Sequence, residues 1–129
     1  MRKILLIMPV LLFSVISFAQ ENKCSKYKNG TFKLLDQANN VTYIIERNGN
    51  KQYEQIEGEK TKIDFDVNWI SDCSYTLHPT KETIELIKAD FSLIVEIVEI
   101  KEKSLVLKMF AKESPQNVIT REVEIIKTL

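Results

Sequence analysis

From Lys62 to Trp69 the chain alternates without a break. Ile63, Phe65, Val67 and Trp69 are apolar, and Lys62, Asp64, Asp66 and Asn68 between them are polar. A period of two gives a strand one dry face and one wet face. The same grammar recurs on both sides. Gly30 to Leu35 reads as a first strand, and Val41 to Arg47, rich in β-branched and aromatic residues, as a second. Asn48-Gly49 follows, a dipeptide that accepts positive φ at both central turn positions, and Lys51 to Glu57 returns as its partner. After a break at Ser71-Asp72, Cys73, Tyr75 and Leu77 share one face of a strand that Pro79 ends.

Thr80 to Asp90 fits two templates. Ile84, Ile87 and Phe91 make a helical stripe that Thr80 would cap, whereas Thr83 to Lys88 also reads as a strand. A short helix or irregular turn leading into a strand is the expectation. Ser92 to Lys101 is nearly all Ile, Leu and Val, and Glu102-Lys103 turns it into Leu105 to Ala111. Glu113 to Asn117 is a loop. Val118 to Lys127 is the last strand, with Ile119, Val123 and Ile125 on one side.

About eight short strands joined by hairpins predict an all-β fold, an antiparallel up-and-down meander. Such a sheet buries its apolar face by curling into a lipocalin-like barrel or half-barrel, or by splitting into a sandwich. With only three glycines, sharp corners have to come from bulges.

The first residues carry a different signal. Arg2 and Lys3 precede an apolar stretch, Ile4 to Phe18, and Ser17-Phe18-Ala19 offers small residues for a cut before Gln20. This is the form of a secretory leader over residues 1–19. The stretch is short of the ~20 residues a membrane-spanning helix needs, and Pro9 interrupts it. Cys24 follows Glu21-Asn22-Lys23, which is not a lipid-attachment context. Gln20 to Leu129 fits one small domain, expected to be secreted or periplasmic and monomeric. Without Arg2 and Lys3, the 18 basic side chains fall to 16 against 18 acidic ones. Lysines and glutamates interleave along the chain. That balance argues against a nucleic-acid partner, which requires clustered positive charge.

Export changes the meaning of the two cysteines, Cys24 and Cys73. Outside the cytoplasm two cysteines most often form one internal disulfide, and closing so long a loop stabilises by about 4 kcal/mol. Two free thiols or an intermolecular bridge are the alternatives. A metal site is not expected, because two cysteines and the single His78 lack ligand spacing.

Catalytic signals are sparse, and no cofactor motif is present. His78 stands alone before Pro79, where a solvent-facing histidine is commonplace. Asp64 and Asp66 lie ~7 Å apart on one wet face, the separation set by strand rise. With Glu54 they make the weakest hypothesis, a hydrolase. Asn29-Gly30-Thr31 and Asn40-Val41-Thr42 match the glycosylation pattern but read as turn residues. A polar and aromatic group is more informative. Arg47 ends the second strand, Gln52 and Glu54 share a face of the third, and Trp69, Asp72 and Tyr75 surround Cys73. Asp72 is expected to accept bonds from amides of its own turn. Aromatics on a dry face ordinarily fill a core. The functional alternative is a cup lined by Trp69, Tyr75, Tyr43 and Phe65, oriented by Arg47 and Gln52.

Cys24-Ser25-Lys26-Tyr27-Lys28-Asn29-Gly30-Thr31-Phe32 has the form C-x-x-aromatic-x-x-G-x-F. With Ile45-Glu46-Arg47, Gln52-x-Glu54 and Trp69-Ile70-Ser71-Asp72-Cys73-Ser74-Tyr75, it resembles a family of small, uncharacterised exported proteins of flavobacteria and other Bacteroidetes. The likeness runs from Cys24 to Leu77. It implies export and a small, calycin-like β fold, and no activity. The sequence therefore points to a non-catalytic domain that binds a small or extended apolar ligand, a lipid included. An envelope-protein interaction or inhibitor module is the second hypothesis.

Overall fold

The computed structural model describes residues 23–129. The predicted leader and its cut before Gln20 lie outside the described residues. Eight strands follow in order: β1 (Gly30–Asp36), β2 (Val41–Asn48), β3 (Lys51–Ile56), β4 (Lys62–Ser71), β5 (Ser74–Pro79), β6 (Leu93–Ile100), β7 (Ser104–Ala111) and β8 (Ile119–Thr128). Each pairs antiparallel with the next, and β8 returns to β1 to close the barrel. The expected meander is present, and of the barrel, half-barrel and sandwich it takes the barrel.

Closure along Gly30–Lys33 of β1 pairs most of the two edges an open sheet would carry. Three register shifts supply the bends, at Thr31/Phe32, at Trp69/Ser71 and at Ile97/Glu99. Gly30 is needed for the first of these ladders, at φ 156° with its Cα face against β8. A Cβ there would collide with the Lys127 carbonyl oxygen. Inside, Phe32, Ile45, Phe65, Val67, Tyr75, Leu77, Val95, Ile97, Leu105, Leu107 and Val123 form one buried cluster.

The two ends of the barrel differ. The base carries the chain start, a 3-10 turn (Ser25–Tyr27), the β2–β3 and β6–β7 turns, and the β4–β5 corner. The mouth carries the other turns and α1 (Lys81–Ile87), the one α-helix among the described residues. The ambiguous segment is thus a helix. Thr80 caps it by accepting from the Thr83 amide at 3.3 Å, and Lys88 ends it in the left-handed region at φ 60°.

Three expectations need correction. Asn48 pairs with Lys51, so the turn is Gly49-Asn50, and of the two only Gly49 has positive φ. Asp72 accepts from the Cys24 amide at 3.1 Å, across the base rather than within its own turn. The buried side of α1 is Thr83, with Ile87 largely exposed. Ile119 lies on the inner side with Val123 and Ile125, as expected, and is 48% exposed near the mouth.

Candidate functional site

Cys24 and Cys73 are joined, with Cα atoms 5.3 Å apart at a sequence separation of 49. The bond fixes the chain start against the β4–β5 corner. The next residues then cross the base. Here the buried guanidinium of Arg47 meets them: Nη2 donates to the Tyr27 carbonyl at 2.9 Å and Nε to the Lys28 carbonyl at 3.0 Å. Nη1 donates to Gln52 Oε1 at 2.8 Å and to the Tyr75 hydroxyl at 3.1 Å. The Tyr75 contact joins β2 to β5 through the barrel interior.

Three aromatic rings complete this layer. The Arg47 guanidinium carbon lies 5.0 Å from the centre of Phe32, 5.6 Å from Trp69 and 4.8 Å from Tyr75. Leaving such a charge buried and unpaired would cost on the order of several kcal/mol. Four hydrogen bonds and three ring faces offset that cost, at roughly 0.5–2 kcal/mol for each desolvated ring contact. The result is a plug that closes the base.

Above the plug is a cavity of about 320 Å³. Its floor is Arg47, Gln52, Glu54 and Tyr75. Its wall is apolar and includes Leu77, Leu93, Leu107 and Met109, and Tyr43 and Phe91 line it toward the mouth. At ~30 Å³ per water in the liquid, this is room for about ten waters, near the lower limit of ordinary ligand sites.

Of the six residues expected in the cup, Arg47, Gln52, Tyr43, Phe65 and Tyr75 line the cavity. Trp69 does not. It packs on Tyr75 with ring centres 4.6 Å apart, on the base side of the plug. Lys28 covers its ring at 4.9 Å. Arg47 also differs from its expected role, since the chain itself takes most of its donors.

The group left facing the cavity is Glu54. Gln52 Nε2 donates to its Oε2 at 2.8 Å. Burial pushes the Glu54 carboxyl above its ordinary pKa, opposed by the Gln52 bond and the Arg47 charge. Burial likewise raises the Tyr75 hydroxyl. Glu54 was legible as a neighbour of Gln52 on β3, but nothing in the sequence marked it as the ligand-facing member of the pair. Phe91, Leu107 and Met109 were missed, because a cavity wall and a solid core share the same strand pattern.

The other candidates are occupied elsewhere. Asp66 pairs with Lys51 at 2.8 Å on the outside. Asp64 anchors α1: its carboxylate accepts from Thr80 at 2.6 Å, and its backbone carbonyl from the Thr83 hydroxyl at 2.8 Å. The Thr80 bond, foremost, holds the Asp64 carboxyl below its usual range. His78 meets Asp90 at 2.9 Å on the surface. Cys24, Asp72 and Cys73 cluster, but the disulfide consumes both sulfurs.

Fold and site together define an eight-stranded up-and-down barrel, plugged at its base, with an internal chamber. Comparison with family models, curated proteins and solved structures finds no match for this chain.

Proposed function

We propose that this is an exported, non-catalytic carrier that holds a small apolar ligand inside its barrel. The observation that carries the reading is the 320 Å³ chamber itself, apolar on its wall and polar only on its floor. A well-packed interior leaves few voids larger than a water. A chamber of this size, kept beside an expensive buried charge, is the arrangement of a binding site. The disulfide and the leader-like residues 1–19 support export, as does the resemblance to exported Bacteroidetes proteins. The engagement of Asp64 and Asp66 in outer-face contacts favours a binder over a hydrolase.

Native mass spectrometry of the protein purified from its own host tests this directly. The expected mass is that of residues 20–129 with the two cysteines oxidised, plus a small non-covalent adduct that collisional activation removes. A bare mass under conditions gentle enough to keep such adducts would count against a carrier.

One observation favours the second reading, an interaction module. The closing ladder covers only Gly30–Lys33 of β1, so β8 from Ile119 to Val123 pairs with β7 alone. That stretch is an open strand edge beside exposed Val118 and Ile119, the kind of edge an extended partner segment extends. A partner captured from envelope extract by the native protein, and released by a Thr120→Pro variant, would support it. Retention of the same partner by the proline variant would not.

A further inference from the structure

We propose that the ligand carries an amine, and that Glu54 selects it. This rests on the carrier reading of the chamber and adds the chemical class of the head group.

The argument is an inventory of donors and acceptors on the floor. Among the residues lining the cavity, Arg47 and Glu54 carry the charges. Arg47 is already satisfied by two backbone carbonyls, Gln52, Tyr75 and three aromatic rings. Glu54 is not. A carboxylate offers about four lone-pair sites, and the one bond recorded for Glu54 is a neutral amide donor on Oε2. Oε1 is left for whatever occupies the chamber. The floor thus lacks a donor at Glu54 Oε1, and the Arg47 charge acts on Glu54 from beyond Gln52 rather than by direct contact.

An ammonium supplies the missing donor and brings its charge into direct contact with the carboxylate. An alcohol supplies one donor and no charge. A carboxylate supplies neither and sets a second acid beside Glu54. Arg47 cannot rescue it without giving up the Tyr27 and Lys28 carbonyls that close the base. The Gln52 amide stands between Arg47 and Glu54, bonded to both at 2.8 Å, so an ammonium on Oε1 does not displace the plug. The wall is compatible with the same class, because aromatic side chains beyond the two that hold Arg47, Tyr43 and Phe91 among them, line it. Burial that raises the Glu54 pKa is the cost an incoming ammonium would relieve.

The test compares octylamine, octan-1-ol and octanoate by calorimetry on the oxidised protein at neutral pH. Each has the same tail and differs only in its head. The expected result is octylamine binding at least tenfold tighter than octan-1-ol, with octanoate weakest. In Glu54→Gln the amine should fall to within about threefold of the alcohol. Octanoate binding as tightly as the amine overturns the proposal, as does a Glu54→Gln variant that keeps the tenfold lead. If Glu54→Gln does not fold, Glu54→Asp, which keeps the charge but withdraws it by one methylene, should shrink the lead, and an undiminished lead overturns it. Equal binding of all three heads overturns the amine assignment and leaves the carrier reading intact. Binding of none, together with no uptake of a neutral aromatic fluorophore, overturns both.

Discussion

The two ends of this barrel are held by different chemistry. At the base, a disulfide, a buried guanidinium and three aromatic rings lock the chain start across the opening. At the mouth, α1 is held to the end of β4 mainly by hydroxyl groups, Thr80 and Thr83 on Asp64. The β1–β8 ladder is also incomplete there. Covalent and charge-assisted contacts resist opening. Single hydroxyl hydrogen bonds near solvent, even to the Asp64 carboxylate, contribute about 1–3 kcal/mol each and exchange more readily with water. In the proposed carrier, the difference sets where a ligand would enter: past the mouth, toward the more firmly held floor.

Four changes would break or sharpen that contrast, from the largest effect to the smallest. Replacing both cysteines with serine should cost about 4 kcal/mol, from the entropy of the loop released in the unfolded chain. Urea unfolding of the oxidised protein against the variant measures it, and a loss below 1 kcal/mol would mean the base does not depend on its staple. Arg47→Met should cost about 3 kcal/mol, because it strands the Tyr27 and Lys28 carbonyls and removes a partner of Tyr75. Trp69 emission should shift in the folded state, since the charge over its ring is gone.

Thr83→Val at the mouth should cost only about 1–2 kcal/mol. It removes the hydroxyl that satisfies both the amide and the carbonyl of Asp64. Hydrogen exchange should quicken in α1 and leave the amides around Arg47 protected. Equal quickening at both ends would refute the contrast.

The smallest effect is on pH dependence. The folded pKa of Glu54 is raised, so the native state binds the extra proton. Its contribution is therefore greatest below the ordinary value of 4.5 and is lost as pH rises through the folded pKa. Asp64 has a lowered pKa, so its contribution is present above 3.8 and is lost as pH falls through the folded pKa. Glu54→Gln should flatten the upper limb of a stability–pH curve, and Asp64→Asn the acid limb. The reverse assignment would contradict the burial described for each.

The barrel was legible because its cause is local. Period-two alternation such as Ile63 to Trp69 fixes the dry face, and eight such runs with short turns leave little choice of topology. Bulges in place of glycine corners followed from the same reading. The Thr80 cap was visible as well, but the helix was not decided, because Thr83 rather than the apolar stripe is what it buries. The Asn48-Gly49 turn slid by one residue because pairing of Asn48 with Lys51 outweighs the dipeptide's own preference. The floor of the site was legible in composition and not in role. Arg47, Gln52 and Tyr75 come from three strands, and only closure decides that Arg47 reaches Tyr75 and the chain start, leaving Glu54 exposed to the chamber. Trp69 shares a strand face with Phe65, yet four residues further along β4 it falls below the plug instead of above it.

The central claim is that the chamber above Arg47 takes up an apolar molecule. It is tested most directly by titrating the oxidised protein with the neutral fluorophore N-phenyl-1-naphthylamine, alongside Leu107→Trp and Met109→Trp variants shown to unfold cooperatively. The account predicts saturable, one-to-one enhancement of emission in the native protein, and its loss in both filled variants. Enhancement that never saturates, or that survives the filling of the cavity unchanged, would contradict it.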